Sequence, residues 1–327
     1  MAGPYYVDPA AGGDNDGSDW THAWVSVQSA FDTATAGETV YCRGTQTLGA
    51  VIDVDTNSGD TTSGNIHFIG CDAGGTARAG QFTLDGDEAV ANALLFGAVN
   101  YITIENFTIV DTTNDGIDFG SALVTYVDFI KCIAESCGGC GFMLYKSYYC
   151  KVISCIARNN DDEGFYYPYI NVYFINCLAY GNGGFGFCNI YNYNVLYGCL
   201  AYENGDDGFH FSHRSNCMIN CVSADNNTGA TGSGLRIIAG GNQLIINCRF
   251  TNNDSYGIEM DAAVDDSNYE DYNVFYDNDD NPRLNINSGL NSDDNPADNG
   301  FVDSATDDYN VKTGAEIRST AIKLNWG

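Results

Sequence analysis

Directly after each of seven glycines the chain carries an apolar residue: Ile117, Phe142, Phe165, Phe187, Phe209, Leu235 and Ile258. The residue two further on is mostly apolar too, at Phe119, Leu144, Tyr167, Phe211, Ile237 and Met260. Alternation with a period of two marks strands, not helices. Five of these glycines stand nine residues after a cysteine, in the pairs Cys132/Gly141, Cys155/Gly164, Cys177/Gly186, Cys199/Gly208 and Cys248/Gly257. Phe107/Gly116 repeats the frame with Phe for Cys, and Cys221/Gly234 is a copy stretched by an insertion around Thr228–Thr231. The central copies recur every 22 or 23 residues, a period that signals a solenoid whose repeats bury one another. A unit that short holds strands and turns but no crossover helix, so successive coils stack as parallel strands ~4.8 Å apart. The pattern predicts an all-β fold, a single-stranded right-handed parallel β-helix. A leucine-rich horseshoe is the competing solenoid, and its leucine spacing is absent.

Five residues past the cysteines stand Asn160, Asn182, Asn204, Asn226 and Asn253. Asn tolerates left-handed backbone and bonds locally through its amide, so one Asn per repeat marks one tight turn per coil, and stacking puts the amides in a column. Before the repeats, Val25–Ala36 has helical spacing at Val27, Ala30, Phe31 and Ala34, with Gly37 placed to end it. Solenoid ends are open sheet edges and need covering, so this helix is the expected N-terminal cap. Strand pattern follows in Thr39–Cys42, Ile66–Cys71, Gln81–Leu84 and Ala93–Phe96. The expected organisation is an entry segment and capping helix over 1–37, coils over 38–276, and an acidic loop with a C-terminal cap over 277–327. Within the last part, Asp277–Asp298 is rich in Asn, Asp and Ser and reads as a loop.

The 38 glycines and only 5 prolines suit many short strands and turns. The 13 cysteines are odd in number, and at least six share one repeated strand position. They read as small apolar side chains stacked in the core, with parallel Cβ vectors that suit disulfides poorly. Cys137 and Cys140 form a C-x-x-C, but no second pair or His stands at zinc-finger spacing. No apolar run is long enough to span a membrane and no leader opens the chain, although a trimmed N-terminus would look the same. Extracellular or virion-associated use is expected. The formal charge of −30 excludes a nucleic-acid partner, whose phosphates need Lys and Arg, and suits divalent cations, salt or solubility.

Positions two and five residues past each glycine fall on the outer flank of the strand. They read Asp118, then Met143 and Lys146, Tyr166 and Tyr169, Cys188 and Tyr191, His210 and His213, Arg236, and Glu259 with Asp261 nearby. An outward face is polar in any solenoid, but two of the 4 histidines and one arginine gather here beside tyrosines suited to sugar stacking. Lys146, Tyr166, Tyr169, His213 and Glu259 are the candidate substrate contacts.

The opening Tyr5-Tyr6-Val7-Asp8-Pro9 with Gly12-Gly13-Asp14, Trp20 and Gly37-Glu38-Thr39-Val40-Tyr41 resembles the entry region of pectate-lyase-like β-helix proteins. Gly300-Phe301-Val302-Asp303, Asp308-Tyr309-Asn310-Val311 and Ser319-Thr320-Ala321 resemble their closing segment. The resemblance spans essentially the whole chain, so a complete domain is expected. Asn204-Gly205-Asp206-Asp207-Gly208-Phe209-His210 is similar to the calcium turn of family 9 pectate lyases. That similarity implies Ca²⁺ at Asp206 and Asp207, bridging to a uronate carboxylate. Here His210 replaces the last acid of the motif, Gly183-Gly184-Phe185 one coil earlier offers no carboxylate, and no Lys lies between Lys151 and Lys312 to serve as the family's base.

The resemblance therefore implies a polysaccharide lyase acting by β-elimination on an acidic, uronate-containing glycan. Arg236 is the candidate base, although Arg is a poor one, with His210 the other assignment and His210 or Tyr191 protonating the leaving oxygen. A hydrolase would need two carboxylates flanking the bond, which Asp206, Asp207 and Glu259 offer, but a paired-Asp arrangement is not recognisable. The alternative is a non-catalytic glycan-binding or structural β-helix such as a phage tail spike, expected as a trimer, or an adhesin-like module.

Overall fold

A computed structural model describes residues 4–227, 232–261 and 267–294, together with the backbone of 301–303 and 308–311. Three parallel sheets run the length of a solenoid. Sheet 1 has twelve strands beginning at Tyr5–Val7, sheet 2 has eleven beginning at Thr45–Thr47, and sheet 3 has ten beginning at Ile52–Val54. One coil visits each sheet once, as in Tyr173–Ile175, Leu178–Tyr180 and Phe187–Ile190, and the next repeats it 22 residues on, pairing Ala179 with Ala201 and Phe187 with Phe209. The predicted right-handed parallel β-helix is the observed fold.

The apolar residues that follow the glycines fill the core. Phe142, Phe165, Phe187 and Phe209 are fully buried and stack with centroids 4.8, 4.8 and 4.9 Å apart, so coil spacing and ring stacking coincide. Tyr167 departs from the pattern: its backbone is left-handed and it is only half-buried, because the sheet 3 strand of its coil ends at Tyr166.

The asparagine column exists. Asn160, Asn182, Asn204 and Asn226 each donate through Nδ2 to Oδ1 of the next ladder residue, at 2.8, 2.8, 2.9 and 3.0 Å, and all are buried. The left-handed residue of this corner is the one before each ladder Asn, as at Asn159, Glu203, Asp225 and Asn252. The ladder side chain thus satisfies buried backbone groups where the turn breaks the sheet bonds. Cys137 occupies this column one coil earlier, its N–H donating to Asn160 Oδ1 at 3.1 Å.

The repeated cysteines lie at a corner, not in a strand. Cys177 follows the left-handed Asn176 between Tyr173–Ile175 and Leu178–Tyr180, and its Sγ sits 3.1 Å from the Val152 carbonyl. All thirteen thiols are free, and all but Cys217 are buried.

The N-terminal helix spans Val27–Thr33, shorter at both ends than the periodicity predicts. Ser26 caps it by accepting the Gln28 N–H. Phe31 stacks on Phe68 with centroids 4.0 Å apart, so the helix closes the apolar end of the core. At the other end, part of the tract expected as loop continues the coils: Arg283–Leu284 pairs with Ile258–Glu259, and Asp293–Asp294 with Val274–Phe275. Buried Glu270 accepts from Arg283 Nε, Asn273 Nδ2, the Gly289 N–H and Ser292 Oγ at 2.6–2.7 Å. Arg283 also forks onto Asp294, both bonds at 2.7 Å. Most of the expected C-terminal cap lies outside the described residues, as does the insertion at 228–231.

Candidate functional site

Strand alternation on sheet 3 decides which side chains leave the core. Asp118, Met143, Tyr166 and Cys188 pair in register along successive strands, and His210, Arg236 and Glu259 do likewise. Cys188 Sγ lies 4.0 Å from His210 Nδ1 and joins the two runs. Asp206 and Asp207 sit in the turn that leads into His210.

His210 is only 7% exposed, and Phe185 lies against its ring with centroids 5.0 Å apart. Burial, with Arg236 next to it, depresses its pKa to about 4. The imidazole is therefore neutral at neutral pH. Arg236 Nη2 is 3.8 Å from Glu259 Oε1 and 3.6 Å from Asp261 Oδ1, while its Nε is buried without a partner. Glu259 Oε2 accepts from Ser233 Oγ at 2.8 Å, and the Ser233 N–H donates to Asp207 Oδ1 at 2.7 Å. Asp207, Ser233, Glu259, Arg236 and Asp261 thus form one polar chain across three coils. Ser233 was missed in the sequence, although it precedes Gly234 as Asp207 precedes Gly208.

Asp207 is enclosed, and its Oδ2 has no hydrogen-bond partner. Burial raises its pKa to about 8, so the carboxyl keeps its proton at neutral pH. Burial also raises Asp206, whose Oδ1 is engaged by the Asp207 N–H at 3.0 Å. These residues make an incomplete calcium cage. A Ca²⁺ ion takes six to eight oxygens, whereas among the described residues no three His, Cys, Asp or Glu side chains converge as ligands, and the Arg236 cation already faces both aspartates.

The residues five past the glycines form a second column in the turn beyond sheet 3. Tyr169 and Tyr191 stack at 4.5 Å, and His213 lies on the other side of Tyr191 at 3.5 Å. Both faces of Tyr191 are therefore occupied, and ring edges and the hydroxyl remain for a ligand. Tyr166 bonds Asn189. Lys146 donates from Nζ to the Ser121 carbonyl at 2.9 Å and lies over Tyr145, three coils from His210 and so ~14 Å along the axis. Cys140, the other half of the C-x-x-C, sits 3.1 Å from Glu163 Oε2, with no zinc-like grouping around it among the described residues.

Solved structures share this architecture. Pectate lyase Pel9A aligns with a TM-score of 0.61 and 17% identity over 97% of this chain and 89% of its own. A rhamnogalacturonan lyase gives 0.57 and 13% over 92% and 91%. The A-module of mannuronan C-5 epimerase AlgE4 from Azotobacter vinelandii gives 0.55 and 16% over 81% and 88%. At these identities the likeness is one of fold. No curated protein sequence matches the chain. The family described as the right handed beta helix region matches residues 51–220, more than half of the chain, and its repeat accounts for the coils found here: the protein belongs to the right-handed β-helix family.

Proposed function

We propose that the outer flank of sheet 3 acts on a uronate-containing polysaccharide as an eliminating lyase. The observation that carries the reading is the in-register pairing of a neutral imidazole, His210, with a guanidinium, Arg236, on adjacent strands. Arg236 lies beside the carboxylates of Glu259 and Asp261 and a guanidinium is a poor base, so the role proposed for it is to pair with the substrate carboxylate. Neutralising that carboxylate acidifies the C5 proton and stabilises the enolate-like charge. His210 takes the proton, the C5–H electron pair forms the C4=C5 bond, the C4–O bond breaks, and the departing oxygen takes a proton from the Tyr191 hydroxyl or water. Glu259 and Asp261 hold Arg236 in place, while Tyr166, Tyr169, His213 and Lys146 extend the flank for further sugar units.

Two structurally similar proteins are named as a pectate lyase and a rhamnogalacturonan lyase, and a third as a mannuronan C-5 epimerase. Both names imply chemistry beside a uronate carboxylate, which supports the substrate class. Calcium at Asp206 and Asp207 enters as one arm of the test.

The experiment incubates the protein with polygalacturonate, rhamnogalacturonan and alginate, with and without chelator, and follows the ultraviolet absorbance of unsaturated uronide. Absorbance that is lost in His210→Ala and Arg236→Gln supports the reading, and suppression by chelator adds the metal. No absorbance on any polymer removes it in favour of a non-catalytic glycan-binding or virion module. Proton exchange at C5 without cleavage would replace elimination with epimerisation.

A further inference from the structure

Every exposed tyrosine among the described residues lies on sheet 1 or a corner bordering it, on a different face from the His210 flank. At one of those corners the left-handed position is held in successive coils by Tyr101, Tyr126 and Tyr149, then Asn171, then Tyr193. The first three rings stack at 4.7 and 5.3 Å, 6° and 12° from parallel. The stack stops at Tyr149 because the next coil offers only the short Asn171. The Tyr149 ring, 47% exposed, therefore turns an uncovered face toward the following coil.

A groove of about 410 Å³ runs along Tyr101, Tyr126 and Tyr149, and its floor is the outward row Asp128, Lys151 and Tyr173 of sheet 1, paired in register. Tyr173 is 40% exposed. Lys151 Nζ lies 3.6 Å from Asp128 Oδ2, so the pair adds no net charge, and Asn65, whose Nδ2 donates to Thr103 Oγ1 at 2.8 Å, lines the rim.

We propose that this groove is a second, non-catalytic saccharide site that takes neutral pyranosyl units of a polysaccharide. Flat, electron-rich ring faces meet the C–H face of a pyranose. A lysine and a carboxylate at the floor supply the donor and acceptor that hydroxyls need. Charge selects the class. The floor is balanced within a protein of formal charge −30, so a polyanion is repelled by the surroundings and gains no unpaired cation, whereas a neutral chain loses nothing. The inference does not depend on elimination at sheet 3.

The test is native affinity electrophoresis of the full chain through gels containing soluble xylan, galactomannan or mixed-linkage β-glucan, with polygalacturonate as the contrast. Tyr149→Asn suits the corner, since Asn171 already holds the left-handed backbone there, and Tyr173→Thr sits on an exposed strand face. Expected are retardation by at least one neutral polymer, a tenfold or greater loss of apparent affinity in the double variant with at least a threefold loss in Tyr173→Thr alone, and the same mobility in polygalacturonate for the wild type and both variants. Absence of retardation by all three neutral polymers overturns the proposal, as does retardation unchanged in the variants. A dimer in sedimentation that dissociates on the same substitutions overturns it too, by assigning the face to a second copy of the chain.

Discussion

His210 and Arg236 stand opposite each other in register on neighbouring strands of sheet 3, 26 residues apart in the chain. Their pairing brings a neutral imidazole and a guanidinium side by side, and the second sets a property of the first. The guanidinium, after burial, is what disfavours an imidazolium at His210.

The acid limb of any activity follows from that. A free histidine loses basicity near pH 6.5, but His210 stays neutral down to about 4. The kcat/KM profile should keep falling to half only well below pH 6. Arg236→Gln should move that limb upward toward the ordinary histidine value besides lowering the rate. A limb near 6.5 in the wild type would contradict the assignment.

Asp207 and His210 give stability opposite pH dependences. The Asp207 carboxyl titrates higher folded, about 8, than its ordinary 3.8. Both states hold the proton below that lower value, and between the two only the unfolded chain releases it, so stability falls as pH rises from 4 to 8. His210, depressed from 6.5 to about 4, removes stability as pH falls through that window. Asp207→Asn should therefore flatten the alkaline side of the melting-temperature profile. An unchanged slope between pH 5 and 8 would show that Asp207 is ionised in the folded protein.

Asn204 accepts from Asn182 and donates to Asn226 and to the Ala179 carbonyl, at 2.8, 2.9 and 3.1 Å. Asn204→Ala strands buried partners on both sides, at about 1–3 kcal/mol per unsatisfied group, so a loss of about 3 kcal/mol or more is expected in urea unfolding. Leu123→Ala, at a side chain 52% exposed, should cost less. Equal or reversed losses would mean the ladder is not a principal support of the coils.

The thiols predict a simple titration. Only Cys217 among the 13 is partly exposed, and burial raises the thiol pKa at Cys137 to about 11 and at Cys150 to about 12. An aromatic disulfide reagent should find about one reactive thiol in the native protein and all 13 in denaturant without reductant. Fewer than 13 after unfolding would reveal disulfides.

At the C-terminal end, Arg283 neutralises a Glu270 side chain with no solvent exposure. Arg283→Met leaves that carboxylate uncompensated, a loss of about 3–5 kcal/mol, and should open the tract after Tyr276 to proteolysis first. Glu270→Gln with Arg283→Met should recover part of it. Proteolysis starting elsewhere in the single variant would show that this ion pair does not lock the end.

The coil was legible because one repeat states both its period and its inward residues: Phe165, Phe187 and Phe209 recur at coil spacing, and a strand has only two faces. The outward row was legible by the same rule, which is why Tyr166, Cys188, His210, Arg236 and Glu259 were found together. What the rule does not reach is a corner, where left-handed residues break the alternation. Hence the cysteines were read into a strand, the stacking of Tyr169 and His213 on Tyr191 was not foreseen, and the free face of Tyr149 went unseen. Whether a carboxylate is exposed or enclosed is likewise no property of its neighbours in the chain. Asp206 and Asp207 are adjacent and alike in sequence, yet burial and a serine from the next coil separate them, because desolvation and hydrogen bonding come from groups that meet only once the coils are stacked.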